Sequence, residues 1–187
     1  MSAARPPANR PQRPPGEVTI AVRWGLRARW PGMVPLLRRV ARHVLAAEGF
    51  HSGHLSIAVV GQQAMSTLHE RFLRRRGPTD VLAFDLGSLN RHGYIDAEIV
   101  LCSDVALQFA RRRGNAWPAA RAELALYLTH GILHVAGYND HSPRGFERMH
   151  GREDELLRQL GLGPVFSGSP RRQRGPQRTN TLPRHRK

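Results

Sequence analysis

Residues 117–136 (WPAARAELALYLTHGILHVA) read as a long helix that is apolar on most of its circumference, and this element constrains everything else in the chain. A helix that is hydrophobic nearly all round is stable in water only inside a core, so the remaining elements must enclose it. With 187 residues, of which 40% are hydrophobic, the chain has material for one such core and not for two.

The enclosing elements follow from local patterns. Val18–Val22 and Leu55–Val60 are short and rich in β-branched residues, as strands are. Residues 34–48 between them place apolar groups at helical spacing, and Gly49 supplies a stop. Gln62–Leu73 is a second amphipathic helix, while Thr79–Phe84 and Tyr94–Cys102 are strands joined by a Gly- and Asn-containing, hairpin-like turn. Ser103 is read as the N-cap of a helix through Arg113. Ser142, with Pro143 after it, opens a last polar helix that runs to about Leu160 and ends at Gly161. The order predicts an α+β fold: a small mixed four-stranded sheet packed with about five helices, the 117–136 helix in the core. Residues 1–16, with five prolines, and residues 164–187, rich in Gly, Pro, Ser and Arg, cannot bury enough surface to offset their ordering entropy. Both are expected to be disordered tails on a single domain, 17–163.

Net charge is +15, with three basic residues in 1–16 and seven in 165–187. Such a balance suits a polyanion, because neutralising phosphates releases condensed counterions. A GC-rich genome also raises arginine, which supplies 28 of the 29 Lys and Arg residues, so charge alone does not decide the partner. Cys102 is the single cysteine, which excludes an internal disulfide and requires any metal site to use His, Asp or Glu. With no signal-peptide core and no apolar run of about 18 residues, the expectation is a cytoplasmic protein without a membrane segment.

His130 and His134 lie four apart on the core helix, so both imidazoles face one side and can meet one ion. Gly137 can take the left-handed conformation that ends the helix and turns the chain back toward them. In the string HGILHVAGYNDH, the returning ligand is Asp140 or His141; His141 is preferred because imidazole suits zinc and the turn is flexible in length. Three protein ligands leave a fourth position open, the arrangement of a catalytic zinc site with one ion per chain. Gly131 stands where zinc proteases carry their glutamate base, which disfavours proteolysis and leaves phosphodiester hydrolysis as the natural use.

The run HGILHVAGY followed by His141 resembles the signature HGxLHLxGYDH of the YbeY family of bacterial rRNA maturation factors. LHERFLRRRGPTDVLAFDLG is similar to that family's LNxxYRGxDxPTDVLSFP, with Leu68, Pro78, Thr79, Asp80, Val81, Leu82 and Phe84 in register. AEIVLCSDVALQFA, Met149 and the stretch Glu153–Leu160 extend the likeness, which covers roughly residues 18–162. The resemblance implies a single-strand-specific, metal-dependent endoribonuclease that matures the 3′ end of small-subunit rRNA and serves ribosome quality control. It implies zinc on His130, His134 and His141, single-stranded rRNA and the small ribosomal subunit as partners, and ribosomal-protein or GTPase contacts. The chain departs from the pattern at Leu73, where the family carries an RNA-binding arginine, at His69 in place of asparagine, and by one extra residue between Tyr138 and His141.

Arg74 or Arg75 is expected to stand in for the missing one through a shift of the loop, with Arg74 as the catalytic candidate and Arg74, Arg75 and Arg76 as phosphate contacts. Asp80 is expected to bond within its own turn, and Asp96 with Glu98, alternate on one strand, form a weak candidate acid/base pair. Trp24, Trp30 and Trp117 are either base-stacking groups or core. The competing reading is a non-catalytic ribosome-assembly factor whose zinc only staples the 130–141 loop; a zinc protease would need Glu98 or Glu147 near the ion.

Overall fold

A computed structural model describes residues 16–28, 30–112, 116–163, 165–166 and 181–182. Strands β1 (Thr19–Trp24), β2 (Ser52–Val60), β3 (Val81–Asp85) and β4 (Tyr94–Cys102) form a mixed sheet in the order β1-β2-β4-β3. β1, β2 and β4 run parallel, and β3 is antiparallel to β4. A two-residue strand β5 (Thr181–Leu182) pairs parallel with the outer edge of β3. Five helices surround this sheet: α1 (Met33–Ala47), α2 (Gln62–Leu73), α3 (Ser103–Arg111), α4 (Ala116–Val135) and α5 (Pro143–Gln159).

α4 is the enclosed helix. Leu124, Leu126, Leu128, Ile132 and Leu133 are fully buried, in one cluster with α1, the end of α5 and the β4 side chains Ile95, Ile99 and Leu101. Gly131 permits this approach, since a Cβ there would lie 3.1 Å from Ile99 Cγ2 and 3.4 Å from Val81 Cγ2. The opposite sheet face carries a smaller cluster of Ala58, Met65, Leu82, Val100 and Cys102, onto which α2 packs Leu68 and Leu73. Among the described residues, no helix is long and apolar enough to cross a membrane.

Several boundaries shift by one or two residues from the pattern-based reading, and three differences have a structural consequence. β2 begins three residues early, at Ser52, because Gly53 adopts φ +112 where a Cβ would meet the Ile95 carbonyl oxygen of β4; glycine there marks close backbone approach. The N-cap of α3 is Cys102, not Ser103: the Ser103 hydroxyl instead donates to the Val60 carbonyl (3.1 Å), joining α3 to the end of β2. Finally, Val165 and Phe166 are buried on the body, beyond the domain end expected at 163. Two apolar residues in a Gly/Pro/Ser setting gave no periodic signal.

Candidate metal centre

The end of α4 is built as expected from Gly137. That residue has φ +98, the Tyr138 N–H bonds to the Leu133 carbonyl (3.0 Å) and the Gly137 N–H to that of His134 (3.0 Å), a reversal that returns the chain alongside the helix. The returning Tyr138 carbonyl then accepts a hydrogen bond from His134 Nδ1 (3.1 Å). The same turn that ends α4 therefore fixes the ring of one candidate ligand.

The other ring is fixed from α5. His130 Nδ1 donates to Glu153 Oε1 (2.7 Å), and the second oxygen of Glu153 accepts from His150 Nδ1 (2.7 Å). Glu153 is fully buried, and His150 is stacked on Phe166 with ring centroids 3.5 Å apart. α5 is itself anchored at its start by Ser142, whose hydroxyl accepts from the Gly145 N–H (3.1 Å), the cap the sequence predicted. At its other end, Asp154 Oδ1 accepts from the Phe166 N–H (2.9 Å) and holds the covering segment down.

With both Nδ1 atoms engaged as donors, the two Nε2 atoms face each other at 3.0 Å. Two bare imidazole nitrogens at that separation repel unless a proton or a cation lies between them. Two Zn–N bonds at a tetrahedral angle would span about 3.3 Å, so the pair is already spaced for one ion. Without an ion, the proton resides on His130: burial opposes its charge, but the Glu153 carboxylate outweighs this and raises its pKa above the usual histidine value. His134 is driven the other way, to about 3, by burial first and then by the neighbouring His130 charge. Burial alone would raise the Glu153 pKa, yet His130 and then His150 pull it down to about 2, so it stays a carboxylate.

Asp140 completes the group. A carboxylate oxygen of Asp140 and one nitrogen each of His130 and His134 all lie within 4.8 Å of one another. Asp140 is 1% exposed, and its Oδ1 has no hydrogen-bond partner among the described residues. A buried, unpartnered carboxylate oxygen beside two converging nitrogens is the donor set a divalent cation satisfies, so the residues present fit a metal. His141, the third ligand expected from sequence, is not brought into this group; its side chain is 62% exposed, with Nδ1 3.8 Å from Asp140 Oδ1. The extra residue accounts for the difference: Asn139 Oδ1 accepts from the His141 N–H (2.8 Å), and this Asx turn rotates Asp140 inward and His141 out.

A sequence model of the family described as Endoribonuclease YbeY matches residues 32–161, which include every residue of this cluster. The chain belongs to the YbeY endoribonuclease family. It is 39% identical over 149 residues to the endoribonuclease YbeY of Acidothermus cellulolyticus, covering 72% of this chain and 88% of the relative. With the Thermobifida fusca relative it shares 35% over 130 residues, covering 65% and 81%. The solution structure of TM1509 from Thermotoga maritima superposes with a TM-score of 0.53 at 23% identity over 81% of this chain and 98% of that one, a likeness of fold. Family membership makes the chain one of a group of endoribonucleases, enzymes that act on RNA.

The YbeY pattern also locates the remaining candidates. Arg74, Arg75 and Arg76 are exposed on the loop after α2, and Arg74 is the described non-glycine residue with positive φ (54°), at the helix C-cap where the family pattern has glycine. Leu73 is half-buried on the α2-face cluster, which explains an apolar residue there. His69 closes the arginine loop through Nδ1 to the Gly77 carbonyl (2.8 Å). Asp80 Oδ1 accepts from Thr79 Oγ1 (3.0 Å) and the Val81 N–H (2.9 Å), the turn role expected, while its charge also reaches His130. Glu98 lines a groove over the α2 face with Arg23, Arg71 and Phe84. Asp96 and Glu98 alternate with Ile95, Ala97 and Ile99, which face α4, and so point away from the histidines; they form no acid/base pair for this site. Nothing in the sequence marks Glu153 or His150 as partners of His130, since their role depends on α5 crossing α4.

Proposed function

We propose that this chain is a zinc-dependent, single-strand-specific endoribonuclease that matures the 3′ end of small-subunit rRNA and contributes to ribosome quality control in the cytoplasm. The observation that carries the reading is the converging set His130 Nε2, His134 Nε2 and the buried Asp140 carboxylate, within an endoribonuclease family. These three residues hold one zinc, and the turn at Asn139 is what makes Asp140 the third ligand in place of His141. Zinc, when bound, supplies a Lewis acid that lowers the pKa of water to about 7 and stabilises charge on phosphoryl oxygen.

The chain's own residues do the rest. Glu153 keeps the His130 proton on Nδ1 and its Nε2 aimed at the ion, the outer-sphere role carboxylates play for ligand histidines. Tyr138 does the same for His134 through its carbonyl. Arg74, held in the left-handed region, and its neighbours Arg75 and Arg76 take RNA phosphates by charge-assisted bonds. Tertiary contacts with the small ribosomal subunit, ribosomal proteins or a GTPase belong to the same proposal.

The test is cleavage of an end-labelled single-stranded rRNA 3′ fragment and of its duplex form by wild type and His134→Ala. Cutting of the single strand alone, lost in the variant, supports the reading. A second reading, an assembly factor with a structural zinc, is favoured by one observation: Leu73 is packed into a core cluster where the family pattern has its arginine. That reading expects RNA binding and stoichiometric zinc with no cutting. Asp140→Ala against His141→Ala separates the ligand assignments: bound zinc measured after dialysis falls in the first and persists in the second.

A further inference from the structure

The three tryptophans converge at the start of α4, remote from the histidines. Trp30 is buried, with Trp24 against it at 5.6 Å between ring centroids and Trp117 edge-on at 5.0 Å. Trp24 is fixed by its indole N–H, which donates to the Ala28 carbonyl (2.9 Å). Trp117 is 54% exposed, so a ring of large area presents its outer side to solvent on a rigid aromatic support. A hollow of about 190 Å³ lies against it, lined by Trp30, Pro31, Trp117 and Arg121. A second, of about 220 Å³, is lined by Gly32, Pro35, Leu36, Arg39 and Arg121.

Arg121 belongs to both hollows. Gly32, at φ +74, lets it lie across the start of α1: a Cβ there would stand 3.6 Å from Arg121 Nη2. No carboxylate lines either hollow, and Arg39 and Arg121 form no ion pair with the described residues. An exposed indole beside the Arg121 guanidinium, with Arg39 sharing the adjoining hollow and no carboxylate in either lining, matches a base with its phosphate: the ring offers a stacking face and the arginines an anion contact. An apolar protein partner would leave both charges buried and unpaired.

We propose that Trp117, Arg121 and Arg39 form a second RNA subsite, in which a single-stranded base stacks on Trp117 and its phosphate lies between the two arginines. The inference rests on the reading of the chain as an endoribonuclease of single strands. Trp117 and His130 lie on one helix thirteen residues apart, about 20 Å at 1.5 Å per residue. A nucleotide at Trp117 is therefore several positions from the bond being cut, and the subsite serves substrate length without touching the reaction.

The measurement is fluorescence anisotropy of labelled single-stranded RNAs of about four and about fifteen nucleotides, lengths that bracket one binding site. It uses the full, zinc-loaded chain over a series of salt concentrations. Trp117→Ala weakens the longer RNA roughly tenfold and leaves the shorter one unchanged, while Trp117→Phe, which retains a stacking face, recovers most of the loss. Arg39→Gln with Arg121→Gln lowers the salt slope for the longer RNA by about 1.4, two contacts at ~0.7 each. The cleavage rate at saturating RNA stays at the wild-type value in all three. Unchanged affinity and slope for the longer RNA would overturn the subsite while leaving the nuclease reading intact; so would an equal loss for both lengths. Absence of RNA binding by the wild type would remove the nuclease reading and the subsite with it.

Discussion

Replacing Glu153 by glutamine keeps the volume and shape of a fully buried side chain and removes its charge and one of its two acceptor oxygens. Two imidazole N–H groups, from His130 and His150, point at its oxygens at 2.7 Å, and glutamine offers one oxygen and one NH₂. One imidazole donor is then left facing another donor, a buried mismatch worth about 1–3 kcal/mol. The lowered pKa of Glu153, held down by His130 and then His150 against its own burial, points the same way: the carboxylate form is the one the folded state favours. The metal-free Glu153→Gln protein should therefore be about 1–3 kcal/mol less stable than wild type in urea unfolding at pH 7. Loss of the carboxylate also frees the His130 ring to change tautomer, so zinc affinity by competition with a chromophoric chelator should drop 10- to 100-fold. Equal zinc affinity in variant and wild type, with stability unchanged within about 0.5 kcal/mol, would refute the assignment of Glu153 as the group that orients His130.

Arg74 occupies the left-handed region at φ 54, a conformation that costs a non-glycine residue about 1 kcal/mol, so Arg74→Gly should raise stability by about 0.5–1 kcal/mol. It should also lower the salt slope of RNA binding by ~0.7, one lost phosphate contact; lower stability with unchanged RNA binding would contradict this role. The metal-free protein should lose stability in acid. His134 binds its proton only near pH 3 when folded and near 6.5 when unfolded, so between those values the unfolded state holds more protons and stability falls as pH falls, by up to about 1.4 kcal/mol per unit. Glu153, depressed to about 2 from 4.5, adds a second loss below pH 4.5, whereas the raised His130 acts only above 6.5, in the opposite sense. Urea midpoints that stay level from pH 6.5 to 4 would contradict the buried, neutral state of His134.

The parts of the site legible in the sequence are those set within a few residues of the chain. Helix spacing placed His130 and His134 on one side of α4, Gly137 reversed the chain, and Ser142 capped α5, because each of these depends on local backbone geometry. The four main strands and five helices were likewise visible, since an apolar helix such as α4 leaves few ways of enclosing it. What escaped depends on contacts between distant segments. Glu153 and His150 lie on a polar helix, and only the crossing of α5 over α4 turns them into partners of His130. Phe166 is one aromatic residue in a Gly- and Ser-rich segment, and its burial follows from the His150 ring it covers. Which of Asp140 and His141 faces the two histidines depends on a single Asx turn at Asn139, a side-chain bond that residue spacing does not specify. Asp96 and Glu98 share a face by strand alternation, but which face meets α4 is decided by the burial of Ile95, Ala97 and Ile99.

We propose above that the set His130, His134 and Asp140 holds the metal with which this chain cuts RNA. Protein stripped of metal by chelation, then titrated with zinc while cleavage of a single-stranded rRNA fragment is followed, tests it most directly. The stripped protein should not cut, recovery should level off at one zinc per chain, and His134→Ala should show no recovery. Cutting at the full rate by the stripped wild type, or by zinc-treated His134→Ala, would contradict it.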